Sequence, residues 1–448
     1  MSDAAAIDQP IAKRPIERFL SLFADVHPGE AASVLLLTLI MFLILAAYYM
    51  LKTAREVFIL SEGGAEIKSY ASAGQALLLL LIVPAYGAFA SRVNRIQLIT
   101  WISVFFASNI LLFAAAEAAG ARVGIPYFLW LGIFNVMAIA QFWAFANDLY
   151  TPDQGKRLFP LIGVGSSLGA WLGSVRAGML VDTVGPLRLL ITGAVILLVC
   201  VALARIADRV TSGSARERRT DATEALGEGP SGFRMIASDR YLMLLAALAV
   251  LLNVVNTTGE YLFGRYVVDN AIRLYGAGPA AEAARGQYIG DTYSRFYSDV
   301  NLLGLLLQMF VVARLFKFIG VGRTLFIHPL IATVGYLLML RAPSFEAIGF
   351  VKTVDNAVDY SVGNTTKQAL WLPTSRQAKY KAKQAVDSFC VRAGDVMTAG
   401  IVFVFTRAAL AVPAFAAFNL ALTAGWLAVA AALNARLRAQ AASARDAL

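Results

Sequence analysis

The sequence predicts an all-α, polytopic membrane protein with twelve transmembrane helices in two six-helix halves. Three observations predict it. Of 448 residues, 58% are apolar and only 15% charged, where a soluble chain carries roughly a quarter charged residues. Twelve stretches are apolar for about the 20 residues a helix needs to cross about 30 Å of hydrocarbon. Of the 39 Lys and Arg residues, twenty-four fall at the termini and in alternate loops, eight in the other loops and seven beside or within spans. That asymmetry puts both termini in the cytoplasm. It also accounts for the net charge of +10 without nucleic acid, and the apolar surplus argues against a soluble enzyme or a disordered scaffold.

The spans fall near 31–51, 70–90, 97–117, 125–147, 158–181, 187–207, 241–264, 297–316, 324–341, 346–371, 385–406 and 412–435. Residues 1–30 form a cytoplasmic segment in which Arg18 to Phe23 could lie amphipathically on the membrane face. Asp8, Glu17, Asp25 and Glu30 there argue against a cleaved signal. Residues 31–207 make the first half and 241–435 the second. Between them 208–240, with Arg216, Glu217, Arg218, Arg219 and Asp221, reads as a cytoplasmic linker; 436–448 is a cytoplasmic tail. The halves echo one another. A basic, Gly-containing turn follows the second span (Gly87, Arg92, Arg95) and the eighth (Arg314, Lys317, Gly320, Arg323). A Pro with basic residues closes the fourth (Pro152, Lys156, Arg157) and the tenth (Pro373, Arg376, Lys379). This is a major-facilitator-like layout, with a generic polytopic bundle as the plainer alternative.

Ionisable groups at membrane depth are costly and usually face a bundle interior, so their positions carry the functional information. Lys52, Arg55 and Glu56 share a face of the first span, unless they snorkel to the outer interface. Asn147 and Asp148 end the fourth, where Asp148 might instead cap the helix or pair with Lys156. Gly163, Gly165, Gly169 and Gly173 in the fifth form a small-residue packing face; a phosphate loop would need a Lys-Ser/Thr ending that is absent. The seventh carries Asn253, Asn256, Thr257, Thr258, Glu260 and Arg265. In the tenth, Lys352, Asp355 and Asp359 share a face, followed by Lys367. The eleventh pairs Lys383 with Asp387 and Arg392 with Asp395. Many of these charges can neutralise one another, yet the surplus of cations suggests an anionic substrate. His27 and His328, each beside a Pro near a span end, read as structural. Cys200 and Cys390 support neither a disulfide nor a zinc site.

Several of these segments resemble the ATP/ADP translocase (nucleotide transporter) family. Leu51-Lys52-Thr53-Ala54-Arg55-Glu56 is similar to its basic-x-x-basic-acidic run. Phe142 to Asp148 is similar to Phe-Trp-Gly-Phe-Ala-Asn-Glu, Lys156 to Gly165 to Lys-Arg-Phe-Tyr-Pro-Leu-Phe-Gly-Leu-Gly, and Lys381 to Asp387 to Lys-Gly-Lys-Ala-Ala-Ile-Asp. Tyr360, Ser361, Thr366 and Lys367 fall at the family's spacing. The resemblance implies that Arg55, Asp148 and Lys383 match charges needed for transport, helped by Lys52, Lys156, Arg157 and Lys367. The chain departs from the family at Arg55 (usually Lys), Asp148 (Glu) and Asn256 (a functional Glu), and in charge at Asp359 and Asn364.

The expectation is a secondary transporter, not an enzyme, that exchanges or imports a nucleotide or related phosphorylated anion by alternating access. Lys52, Arg55, Asn147, Asp148, Asn256, Glu260, Tyr360, Lys367, Lys383 and Arg392 would bind substrate; Lys156, Arg157, Asp359 and Asp387 would gate or hold structure. Tyr48, Tyr49, Trp143 and Tyr360 could stack on a base. No cofactor or metal is called for, and the partners are the anion and the lipid bilayer. The chain would act as a monomer in a bacterial inner membrane. The alternative is a proton-coupled carrier of a non-nucleotide, with Glu260, Asp355 and Asp359 carrying protons.

Overall fold

Backbone polar groups inside a bilayer have no water to bond, which leaves helices to span it. The computed structural model describes residues 14–21, 24–90, 95–215, 231–341, 344–375 and 377–446, and among these the chain is helical with no strand. The first half runs α1 (Pro15–Leu20), α2 (Ala31–Ala90), α3 (Arg95–Ala118), α4 (Gly124–Leu149), α5 (Pro152–Val184) and α6 (Pro186–Ala215). The second runs α7 (Gly232–Ser238), α8 (Arg240–Tyr275), α9 (Glu282–Phe310), α10 (Val312–Phe318), α11 (Gly320–Thr324), α12 (Ile327–Met339), α13 (Phe345–Val358) and α14 (Asn364–Ala369), then α15 (Lys383–Ala385), α16 (Val391–Arg407) and α17 (Val412–Asp446). The central part of the expected linker (216–230), residues 1–13 and 91–94, Arg376 and the Lys156 side chain lie outside the described residues.

Among the described residues, nine helices are long and apolar enough to cross a membrane, ten if the bent pair α9–α10 is one span. Two features explain the difference from the expected twelve. First, α2 contains both of the first two expected spans. Gly64, at φ +65°, breaks it, and Glu56 and Lys68 on either side meet at 2.7 Å. Twelve residues of straight helix would separate them by about 18 Å, so the chain doubles back at Gly64, a backbone conformation open to glycine at little cost. Second, the α13–α14 run expected as a span carries Lys352, Asp355, Asp359 and Lys367 and is too polar to score by composition alone. A π-helical turn, Asp359–Gly363, joins its two pieces.

The first half is built on the first arm of α2. The small-residue face of α5 packs on it as the sequence suggests: a Cβ at Gly173 would lie 2.5 Å from Ala46 Cα, and at Gly165 2.6 Å from the Thr38 Cγ2. At Gly169 the Phe42 carbonyl occupies the place of a side chain. Such backbone approach is the usual way helices gain contact in lipid. The halves meet through α2, α5, α8, α9 and α16. On the side of the Gly64 and Gly185 turns, a Cβ on Gly290 would press on Val181 and Val57, and one on Gly178 would fall 2.5 Å from Ser294 Oγ. Deeper along the same seam Asn301 donates to Ser174 Oγ at 3.4 Å. Asn147 and Asp148 of α4 and Tyr360 of the π-turn are exposed.

Candidate functional site

A charge buried at membrane depth persists only with partners, and the face of α2 that carries Lys52, Arg55 and Glu56 gathers them. Glu56 is fully buried. Arg55 donates to its Oε1 through Nε at 3.2 Å and through Nη2. The reversal at Gly64 brings Lys68 Nζ to 2.7 Å from the other oxygen, and Tyr297 of α9 donates its hydroxyl at 3.0 Å. From Lys68 the line of charge crosses into the second half. Glu260 of α8 lies 3.9 Å from Lys68 and 3.7 Å from Lys352 and accepts from Asn356 at 2.8 Å.

Lys352, 2% exposed, donates to Asp355 at 3.1 Å and to Asn256 Oδ1 at 2.8 Å. His328 then links two carboxylates: Nε2 is 3.2 Å from Asp355 and Nδ1 3.8 Å from Asp359. Asp359 is also 3.3 Å from Lys367. The result is one chain, Arg55–Glu56–Lys68–Glu260–Lys352–Asp355–His328–Asp359–Lys367, with four basic and four acidic groups besides the histidine. Lys52 is different. Among the described residues no carboxylate lies within 4 Å of it, and its ammonium sits over the rings of Tyr297 at 4.0 Å and Tyr49 at 5.1 Å, a cation–π contact that stabilises but does not neutralise.

The structure therefore brings Arg55, Glu260, Asn256, Asp359 and Lys367 into one network, with Lys52 bordering it through Tyr297. It holds the other expected site residues elsewhere. Arg392 pairs with Asp395 at 3.2 Å, and Asp395 and Val391 bond Thr257 and Asn253 of α8. Lys383 pairs with Asp387 at 3.7 Å where both are partly exposed. Asn147, Asp148 and Tyr360 stand exposed. Arg157 ties α5 to the start of α2 within the first half, through two bonds to Glu30 at 3.0 and 2.8 Å. Burial by itself would raise the Glu30 carboxyl; Arg157, the His27 N–H and Gln154 outweigh it and hold this group below the ordinary glutamate range.

Lys68, Tyr297, Asn356 and His328 escape a reading of the sequence. The first falls between expected spans because Gly63-Gly64, the signal for the tight reversal, sits inside a continuous helical pattern. His328 is not near a span end, as its place in 324–341 suggests; the helical run begins at Gly320, so the ring lies well inside, 5% exposed. A cavity of about 820 Å³ lies off the charge chain, on the Gly185 side; Val57 and Val181, which close the seam between the halves, line part of it.

The family model of the TLC ATP/ADP transporters matches residues 10–116, the region holding Lys52, Arg55, Glu56 and Lys68. The ADP,ATP carrier protein 5 of Rickettsia felis is 22% identical, with 84% of this chain and 87% of that protein aligned; the ADP,ATP carrier protein 4 of Rickettsia conorii is 22% identical over 82% and 83%. The likeness to the TLC ATP/ADP transporters is strongest in that first segment and thin, though long, over the rest of the chain. Solved structures add a likeness of fold alone. A POT family transporter matches with TM-score 0.65 and 12% identity, over 90% of this chain and 95% of that one. A bacterial homologue of the iron transporter ferroportin matches at 0.61 and 15% over 90% and 98%, and the nucleoside transporter NupG at 0.61 and 12% over 89% and 99%. The chain shares its overall fold with these three proteins.

Proposed function

We propose that the protein is a secondary carrier that exchanges or imports a nucleotide or related phosphorylated anion by alternating access. The observation that carries this reading is the convergence of Arg55 and Lys68 from the first half with Lys352 and Lys367 from the second on one charge chain across the interface, with Lys52 beside it on Tyr297. Basic groups gathered there suit phosphate, which Arg takes by a planar two-pronged donor set and Lys as a compact charge. The names of the aligned relatives make ATP and ADP the first candidates.

In this reading Glu56, Glu260 and Asp359 hold the cations while the site is empty, and phosphate oxygens replace them when it is filled. Glu260 stands between Lys68 and Lys352, so drawing Lys68 onto substrate loosens the ion pair that joins the halves. Asn147, Asp148, Tyr360, Lys383 and Arg392 serve substrate entry and release rather than the innermost contact; Arg157 braces the first half, and Asp387 restrains Lys383. The carrier works as a monomer of twelve spans, in an inner membrane with both termini cytoplasmic. Uptake of labelled ATP into proteoliposomes, unloaded or preloaded with ADP and challenged with GTP and sugar phosphates, tests it. Saturable uptake that phosphorylated anions displace is expected; no uptake and no displacement by any of them removes the reading.

A further inference from the structure

We propose that His328 is a proton-binding site of this carrier, and that a proton there and a phosphate on Lys367 bind cooperatively; the second part rests on the anion-carrier reading above. The geometry around the ring points to it. A neutral imidazole carries one N–H. Placed on Nε2 it donates to Asp355 at 3.2 Å, and the Nδ1 lone pair then faces Asp359 Oδ1 at 3.8 Å, two acceptors with no hydrogen between them. Nδ1 is buried and has no hydrogen-bond partner. A second proton on the ring turns that opposition into an ion pair with each aspartate. A proton from water is taken up by the neutral ring, and nothing else is consumed.

The neighbours on every packed element fit this role. From α13 and the π-turn the ring meets Asp355 and Asp359; the cations Lys352 and Lys367 reach it only through those carboxylates. The Trp426 ring of α17 packs edge-on at 4.8 Å, and α8 presents Leu248 and Leu252. Gly363 leaves open the flank beside Nδ1, where a Cβ would fall at 3.0 Å. A cavity of about 20 Å³ that includes Lys367 and Thr366 adjoins the ring, room for about one water, and Lys367 is a third exposed. Cooperation follows from Asp359, which His328 and Lys367 share: once the ring is charged, Asp359 has a second cation and Lys367 is freer to take a phosphate. By linkage the phosphate raises the proton affinity of the ring in the same measure.

The chain has two histidines, so isotope-labelled histidine in the full-length His27→Gln protein gives a single imidazole signal. The proposal expects that signal to pass from the neutral to the charged imidazole form as pH is lowered, and Asp359→Asn to weaken that protonation roughly tenfold. A ring that keeps one protonation state throughout, or a midpoint that Asp359→Asn leaves in place, overturns the proton site. With millimolar ATP the midpoint should rise, and ATP should bind roughly tenfold more tightly at pH 5.5 than at 7.5, a ratio that His328→Gln collapses toward one. ATP that binds without moving the midpoint overturns the cooperation. If neither ATP nor ADP binds, the anion reading fails and the cooperation with it, while the unliganded titration still decides the proton site.

Discussion

Neutralising Glu56 tests whether the charge chain is a single unit. In Glu56→Gln the side chain keeps its size, but Arg55 and Lys68, with side chains 12% and 10% exposed, then flank an uncharged amide. Lys68 keeps a distant partner in Glu260 at 3.9 Å; Arg55 keeps none within 4 Å among the described residues. Removing one partner of a buried pair typically costs about 3–5 kcal/mol, because the remaining charge is left uncompensated. At roughly 2 °C per kcal/mol for a chain of this size, the melting temperature of purified protein should fall by roughly 6–10 °C. The decisive comparison is the double variant Glu56→Gln/Lys68→Met, which removes a cation along with the anion. If the two groups form one unit, the double variant is more stable than the sum of the single effects by about 1–3 kcal/mol. Strict additivity, or a Glu56→Gln protein that melts within a degree of wild type, would refute the idea that this carboxylate holds the first-half cations.

Three further outcomes separate the parts of the fold. Gly169→Leu places a side chain where the Phe42 carbonyl sits, so α2 and α5 must part; little folded protein should be recovered on size-exclusion chromatography, whereas Gly163→Leu, which meets nothing within 4 Å, should be tolerated. Lys52→Gln leaves no carboxylate orphaned, so its melting temperature should stay within a few degrees of wild type, while its ATP affinity by calorimetry falls roughly tenfold or more. The Glu30 contribution has a definite sign. Its folded pKa lies below the unfolded one, so the stability it adds is complete above the ordinary glutamate value of about 4.3 and fades as pH falls through the folded value. Wild type should therefore exceed Glu30→Gln by roughly 1–3 °C at pH 7, and by progressively less below pH 4.

Much of this was legible because lipid leaves few choices. The apolar runs, the basic asymmetry of the loops and the glycine face of α5 each have one cheap structural solution, and the expected spans fall on helical runs, although α8 continues to Tyr275, past the expected 264, and α9 begins at Glu282, well before the expected 297. Arg55, Glu260, Asp359 and Lys367 were also findable, since a charge in such a run is conspicuous. What stayed hidden was pairing. Nothing in the periodicity around Lys68 shows that Gly64 folds the helix back onto Glu56, and nothing near Pro329 shows that α11 lengthens the span until His328 lies between two aspartates. Conversely, Arg392 and Lys383 look as exposed to substrate in the sequence as Lys52 does; their own aspartates, three and four residues away, satisfy them locally.

The balance of charge bears on how such a carrier cycles. A site lined with bare cations could not reorient empty, since each unpaired charge would have to cross the low-dielectric interior, and exchange would then be obligatory. Here four carboxylates already face four of the five basic groups, and the fifth, Lys52, rests on two tyrosine rings. The empty site is thus close to neutral, one positive charge in excess. On the proposed reading this lowers the penalty for rocking without cargo and permits net import alongside exchange, whereas a bound polyanion must first displace Glu56, Glu260 or Asp359 from the lysines. Those same carboxylates set the affinity. Apart from Lys52, every phosphate contact is gained against an ion pair already made, so binding energy goes into opening pairs such as Lys68–Glu260 between the halves rather than into tight retention, which is the allocation a carrier needs if it is to release what it takes up.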